Sequence, residues 1–324
     1  MLRHILRLTM AATMTMASAG LASAQSFPDR PIRMVVPFAP GGAADVVARL
    51  VAQGMSENLS RPVVIENRGG SGGVIGSETV ATAAPNGYTI IFHTVSSAVI
   101  NAGLYRNLPF DARRAFAPVS LIGSVPSLVL VNPRFPARTL QEMIDLMRRN
   151  PGRYTYASSG AGTIVHLSAH MLATMAGVDI LHVPYRGSGP AMNDLIAGTV
   201  DLMVDPMPSD LPFVQSGTLR ALAISTKHRS PVLPDVPTVD EAGLPGYEAY
   251  NWHAIYAVAG TPAPVIARLE AAVRAAVQSE IIGGRLRDLG VETVGSTAAE
   301  LERFWDEQLA LWIPIVRSSG ATAD

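Results

Sequence analysis

The chain has 324 residues, 48% hydrophobic and 16% charged, and its formal net charge is −1. It is long enough for a large core divided between two lobes. A balanced charge without runs of one sign and an aromatic content of 6% argue against a nucleic-acid surface. The absence of cysteine argues against a disulfide framework and a lipid-modified N-terminal cysteine.

The first 24 residues have the pattern of an export signal. Arg3 and Arg7 supply a positive start, residues 8–21 are apolar or small, and Ala22 to Ala24 are the small residues of a cleavage site. The apolar stretch is too short, and too interrupted by Thr and Ser, for a membrane anchor. We expect cleavage near Ala24 and a periplasmic, freely soluble product.

From Pro28 onward, strand and helix patterns alternate, which predicts an α/β protein with parallel strands. The first part of the chain has these predicted elements in order: strand 32–36, turn 37–42, helix 43–55, strand 62–66, glycine-rich loop 68–73, helix 74–84, strand 88–92 and loop 93–97. A first crossing between two lobes is expected at 121–131, because that stretch is extended and lacks a helical period.

The second part repeats this alternation. Its predicted elements are helix 140–149 with Thr139 as N-cap, strand 154–157, turn 158–163, helix 164–176, strand 180–183, turn 185–189, helix 191–197, strands 201–204 and 219–225, strand 250–258, and helices 263–278, 280–289 and 297–316. We place the return crossing at 219–225. The predicted domains are therefore residues 25–124 with 226–324 as lobe 1, and residues 125–225 as lobe 2.

Four turns made of small residues follow predicted strands, at 37–44, 93–97, 158–163 and 185–189. In open α/β sheets, ligands bind at the carboxyl edge of the strands. Backbone N–H groups and hydroxyls there can hold a carboxylate without a cationic side chain, and the helix that follows Gly41 and Gly42 offers free N–H groups to an anion. For a single turn, an ordinary connection explains the glycines equally well; four together favour a ligand cleft.

Catalytic and metal sites are weaker alternatives. Ser71 lies in a Gly-x-Ser-x-Gly pattern, the nucleophile elbow of serine hydrolases, but two residues separate it from the preceding strand. His166 and His170 have the spacing of two metal ligands, but the Glu of a metalloprotease motif is replaced by Leu167, and we expect His166 to hydrogen-bond near its turn. We therefore predict no enzyme, no metal and no cofactor, with a secreted serine hydrolase using Ser71 as the alternative.

Asp205 ends a predicted strand at the ligand edge. Two interpretations remain open from the sequence: the carboxylate pairs with a ligand amine, or it fixes a loop.

The chain also contains a series of ordered motifs: Val36-Pro37-Phe38 with Pro40-Gly41-Gly42, Val64-Ile65-Glu66-Asn67-Arg68, Tyr156-Ala157-Ser158-Ser159-Gly160, His182-Val183-Pro184-Tyr185-Arg186-Gly187-Ser188 and Leu233-Pro234-Asp235-Val236-Pro237-Thr238. In these motifs the chain resembles the Bug family of extracytoplasmic solute receptors for tripartite tricarboxylate transporters. They span essentially the whole chain after the leader.

The resemblance implies a two-lobed periplasmic-binding-protein fold of type II, in which each lobe is a mainly parallel sheet flanked by helices and the ligand cleft lies between the lobes. It implies a monomer that binds a small carboxylated solute (a dicarboxylate, an aromatic carboxylate or an amino acid) and meets the membrane components of the transporter. The ligand-binding residues implied by matching positions are Phe38, Ala39, Gly41, Gly42, Ala43, Asp45, Thr94, Ser96, Ser158, Thr163, Tyr185, Gly187 and Asp205. Of these, Asp45 is expected to hold the turn. Ala44, where relatives often have a hydroxyl, suggests a more apolar pocket.

Overall fold

The computed structural model describes residues 27–318, and the predicted leader lies outside this range. Ten strands run in chain order: β1 (Ile32–Val36), β2 (Val63–Asn67), β3 (Thr89–Thr94), β4 (Phe116–Val131), β5 (Thr155–Ser158), β6 (Leu181–Pro184), β7 (Leu202–Pro206), β8 (Arg220–Ile224), β9 (Tyr250–Val258) and β10 (Glu292–Thr293). Strands β1, β7 and β9 are buried at nearly every residue, as expected of strands covered on both faces.

Ten α-helices accompany them: α1 (Ala43–Leu59), α2 (Val74–Ala81), α3 (Asn101–Leu104), α4 (Leu140–Arg148), α5 (Ile164–Ala176), α6 (Ser188–Ala197), α7 (Leu211–Gln215), α8 (Ala263–Gln278), α9 (Glu280–Asp288) and α10 (Ala298–Ser318). Thr139 and Thr163 begin α4 and α5 by accepting a hydrogen bond from the backbone three residues on. These are the helix starts that hydroxyl caps predict.

The strands form two sheets joined by one long strand. In the first sheet β1 pairs in parallel with β2 and β3, and in the second β5 pairs in parallel with β6 and β7. Strand β4 belongs to both sheets: residues 116–126 pair with β9, and residues 127–131 pair with β7 and β8. The α/β fold of two lobes is confirmed, and each sheet is mixed because the crossing strands join antiparallel to the others.

Each lobe has its own core. In the first, Met34, Val47 and Phe92 lie at 0% exposure among residues of β1, β3, α1 and α8. In the second, Leu172 and Val204 lie in a core formed by β4, β7, α4 and α5. A third apolar cluster contains residues of both lobes and covers the crossing strands.

Part of the segment after β8 packs against the second lobe, although the sequence analysis assigned it to lobe 1. Val239, Leu244 and Tyr247 lie in the core of the second lobe, and the Tyr247 hydroxyl donates to the carbonyl of Ser168 at 3.0 Å. The backbone of Val239 also pairs with Ile224 of β8. We infer that the second lobe continues through residue 249 and that the chain returns along β9, not along 219–225 as predicted.

Three local predictions are corrected. Helix α6 begins at Ser188, so the predicted turn 185–189 is shorter than expected. Asp205 lies inside β7 and does not end it. The predicted loop 93–97 is the end of β3 followed by a π-helical turn, Ser96–Ile100, that runs into α3. In β7, pairing of Asp205 and Pro206 with β4 extends the strand beyond the local pattern. Within residues 27–318, no helix has the length and apolar character of a membrane span.

Candidate functional site

The N-termini of three helices meet between the lobes. A cavity of about 30 Å³ is lined there by Ala43 and Ala44 of α1, Ile164 and Val165 of α5, and Ser188 of α6. The first turn of a helix has backbone N–H groups without intrahelical partners and the positive end of the helix dipole. Three such ends around one small volume favour an anion.

The turn before α1 is held by Asp45. Its buried carboxylate accepts hydrogen bonds from the backbone N–H of Gly41 at 3.0 Å and from the side chains of Arg49 and Asn67 at 3.0 and 2.9 Å. Burial by itself would raise the pKa of Asp45, but the hydrogen bonds from Arg49, Gly41 and Asn67 lower it below the usual value. The carboxylate thus stays charged and positions the turn, as expected from the sequence.

Side chains at the end of β3 form another wall of this cavity. Ser96 accepts a hydrogen bond from the backbone N–H of Ile164 in the other lobe, at 2.9 Å. Thr94 is 3% exposed, and its hydroxyl oxygen has no hydrogen-bond partner within residues 27–318. A buried hydroxyl without a partner is costly, so its position at the cavity indicates that a ligand satisfies it.

In the second lobe, the turn before α5 is supported from behind by histidines. His182 and Ser158 are joined by a 2.6 Å hydrogen bond, and the ring of His182 stacks on His166 with centroids 4.0 Å apart. His166 accepts a hydrogen bond from the N–H of Gly162, which confirms its predicted place near the turn. Burial, followed by the charge of His182 and His170, lowers the pKa of His166 to about 4, so the imidazole is neutral near pH 7.

Asp205 faces away from the cavity. Its carboxylate accepts from the Ser188 hydroxyl at 2.5 Å and from Ser209 at 3.3 Å, and Ser209 also donates to Asp210 at 3.0 Å. Both carboxyl groups are fully buried. Burial raises the pKa of Asp205 to about 6, and burial together with Asp205 raises the pKa of Asp210 well above its usual value. This arrangement favours the interpretation that Asp205 fixes the start of α6.

A second cavity, of about 230 Å³, adjoins the first, and Phe38 and Ser159 line both. The loop Gly70–Gly73 forms one wall, with positive φ at all four residues, including +48° at Ser71. Tyr105, Pro184 and Tyr185 are among the residues that form the remainder. The Tyr185 hydroxyl donates to Asp194 at 2.6 Å, which fixes the ring.

Glycines let the two lobes touch around these cavities. A Cβ atom at Gly187 would lie 2.9 Å from the backbone nitrogen of Ala39, and one at Gly42 would lie 3.2 Å from the Cβ of Ser188. A Cβ atom at Gly189 would overlap the carbonyl oxygen of Pro40. The lobes are therefore closed upon each other, which explains the small volume of the first cavity.

The structure brings some of the predicted residues to the cavities and places others behind them. Residues that line a cavity are Phe38, Gly42, Ala43, Thr94, Ser96 and Tyr185; residues that support the walls are Ala39, Gly41, Asp45, Ser158, Thr163, Gly187 and Asp205. The ligand-binding residues expected from the sequence did not include these further lining residues: Gly70, Ser71, Gly72, Gly73, Tyr105, Ser159, Gly160, Ala161, Ile164, Val165, Pro184, Arg186, Ser188, Pro206 and Asn251. Ser159 and Ser188 lie inside predicted turns, so including every small polar residue of a turn would have found them.

The catalytic and metal alternatives gain no geometric support. Between residues 27 and 318, the hydrogen bonds of the histidine rings go to Ser97, Ser158, Gly162 and Asn251, and none reaches Ser71. No group of three or more potential metal ligands occurs in the described part of the chain.

Comparisons with known proteins agree with one another. A family model described as "Tripartite tricarboxylate transporter family receptor" matches residues 47–321. Protein BugT of Bordetella pertussis (strain Tohama I) is 36% identical over 309 residues, which cover 94% of this chain and 95% of BugT. The structure of the periplasmic binding protein BugD is similar with a TM-score of 0.88 and 36% identity, covering 91% of this chain and 99% of that one. Rpa4515 of R. palustris, solved with adipate, has a TM-score of 0.88 and 35% identity, covering 91% of this chain and 99% of that one.

Proposed function

The chain belongs to the family of tripartite tricarboxylate transporter receptors, and we propose that it captures a small carboxylate between its two lobes for such a transporter. The family assignment confirms the resemblance to Bug receptors found in the motifs. It identifies a receptor and not an enzyme, so the alternative of a hydrolase using Ser71 has no support.

The observation that carries the proposal is the meeting of α1, α5 and α6 at one cavity beside the unpartnered hydroxyl of Thr94. No charged side chain from residues 27–318 lines that cavity. Neutral donors and helix ends can bind a carboxylate reversibly without the desolvation cost of a buried cation. The adipate bound by Rpa4515 is a carboxylate of the proposed kind.

Location and partners are part of the same proposal. The leader pattern at 1–24 supports export to the periplasm with cleavage near Ala24. The family description supports a receptor that serves the membrane components of such a transporter. We propose that it does so as a monomer and in its closed form. The residues proposed to bind the solute are those that line or support the two cavities.

Thermal unfolding of the purified receptor with a panel of monocarboxylates, dicarboxylates and amino acids tests this function. A solute at about 100 times its Kd stabilises a protein by about 2.7 kcal/mol, which gives a clear rise in Tm. A matched panel of amides and alcohols, which lack the negative charge, should give no rise. A flat response to every carboxylate would contradict the proposal.

A further inference from the structure

We propose that the second cavity receives the organic body of the solute, and that this body is a single six-membered ring bearing the carboxylate, as in benzoate. The inference rests on the proposed carboxylate function and names the class of carboxylate. It is argued from the volumes, walls and charges of the two cavities.

The volumes divide the solute into two parts. The first cavity, at about 30 Å³, has the volume of roughly one water molecule and can surround little more than a carboxylate group. The second, at about 230 Å³, shares the walls Phe38 and Ser159 with the first. An apolar cavity of about 150 Å³ is enough to bind benzene in an engineered protein, so this one holds a ring with a small substituent.

The walls of the second cavity suit a flat ring. Phe38, Tyr105 and Tyr185 contribute aromatic rings, and Pro184 contributes a further apolar surface. Aromatic side chains bind another ring by offset stacking or edge-to-face contact. The Tyr185 ring is already fixed by its hydrogen bond to Asp194, so little ordering remains to be done on binding.

The loop over this cavity is strained in a way that suits a ligand wall. Ser71 has a φ of +48° and lies among Gly70, Gly72 and Gly73, whose φ values are also positive. A non-glycine residue in this conformation costs on the order of 1 kcal/mol, and such strain is concentrated at ligand clamps. In this loop, the positive φ values turn the backbone so that it runs along the cavity.

Charges argue against the other two solute classes. Among the described residues, no Asp or Glu lines either cavity, so the ammonium group of an amino acid would be buried without a partner. Arg186 is the one cationic residue that the described part of the chain contributes to the two linings, and it is exposed. The second carboxylate of a dicarboxylate would gain only the small stabilisation of an exposed ion pair.

Calorimetric titration of the receptor with benzoate, hexanoate and adipate is the first test. Hexanoate has a similar number of carbons without a ring, and adipate adds a second carboxylate. We expect benzoate to bind at least about tenfold more tightly than either. Equal or tighter binding of hexanoate or adipate would overturn the inference while leaving the carboxylate function intact.

The second test fills the second cavity alone. Ala161 lines this cavity and not the first, so Ala161→Leu should weaken benzoate binding at least about tenfold while leaving the smaller acetate ion unaffected. Ala271→Leu, at an exposed position of α8, is the matched control. Unchanged benzoate binding by a folded Ala161→Leu receptor would overturn the inference. If the unmodified receptor bound no carboxylate at all, the proposed function itself would be contradicted.

Discussion

Thr94 is a buried residue of the first cavity, in a position where its hydroxyl can hydrogen-bond a ligand. Its hydroxyl oxygen is buried without a partner at the cavity where three helices begin. This hydroxyl should therefore lower the stability of the unliganded receptor and raise its affinity for a carboxylate.

Replacing Thr94 with Val keeps the shape and removes the hydroxyl. We expect the unliganded receptor to be unchanged or up to about 1 kcal/mol more stable, because a buried unsatisfied group is lost. Carboxylate binding should weaken about 10- to 100-fold, because a hydrogen bond to a charged group contributes about 1.5–3 kcal/mol. Thermal unfolding and calorimetry measure the two effects, with Thr79→Val on α2 as control. Parallel losses of stability and affinity would assign Thr94 a structural role.

The buried pair Asp205 and Asp210 predicts a dependence of stability on pH. Because burial raises the pKa of Asp205 to about 6 and that of Asp210 well above its usual value, the folded chain keeps protons that the unfolded chain releases above about pH 4. The folded state binds more protons, so this pair's contribution to stability is present below about pH 4 and is lost as pH rises through 6.

Asp210→Asn removes one of the two buried acids and tests this directly. Other carboxylates titrate equally in both proteins, so the difference in Tm between variant and parent isolates the pair. We expect the Tm of the variant to rise relative to the Tm of the parent between pH 4 and 7, and to be higher by about 2 °C or more at pH 7. Asp235→Asn, at an exposed position, should show no such trend. A difference in Tm that is constant with pH would contradict the raised pKa values of this buried pair.

Among the elements, α1 and α6 approach each other through backbone. Gly189 is the second residue of α6, it is not among the glycines with positive φ, and a Cβ there would overlap the carbonyl of Pro40 before α1. Within its own lobe, alanine would suit this helix better than glycine. The contact with the other lobe is therefore the reason for glycine at this position.

Gly189→Ala should impair closure of the lobes without impairing folding. The extra methyl group keeps the lobes apart at the cavity, so we expect carboxylate binding to weaken at least about tenfold while Tm without ligand stays within about 2 °C. Gly284→Ala on α9, where the new Cβ would lie in ordinary van der Waals contact with the Arg287 side chain at 3.9 Å, is the control. Full affinity in Gly189→Ala would show that binding does not need this contact.

At the scale of the whole molecule, β4 and β9 connect two lobes that are closed upon each other. The first cavity holds about 30 Å³ in this arrangement, so a solute larger than a carboxylate group enters only if the lobes first separate. Hinge closure around ligands is the usual behaviour of binding proteins of this shape. We expect binding to shift the receptor from an open to a closed population.

Small-angle X-ray scattering measures this shift. Addition of a binding carboxylate should lower the radius of gyration of the receptor, and Gly189→Ala should show a smaller decrease at the same ligand occupancy. An amide of the same size as the carboxylate should leave the radius unchanged. An identical radius with and without bound solute would mean that the lobes do not open and close in solution.

The sequence determined the order of the elements, and it predicts an anion-binding edge. Helix α4 begins after Thr139, the predicted N-cap, and α5 and α8 begin at the predicted residues Ile164 and Ala263, since caps and apolar periodicity are local properties. The glycines at 41 and 42, followed by an apolar helix, identified one wall of the cavity, and Asp45 holds that turn as expected. The family motifs are likewise local runs of residues.

Only the tertiary structure decided which side chains face the cavity. Asp205 accepts hydrogen bonds from Ser188 and Ser209. Val239, Leu244 and Tyr247 pack in the core of the second lobe, and Phe38 and Ser159 line two cavities at once. These outcomes depend on contacts between residues far apart in the chain, and alternation along a strand gives a face without saying what covers it. The closeness of Gly189 to Pro40 has the same origin: the sequence contains the glycine, but the reason for it lies in the other lobe.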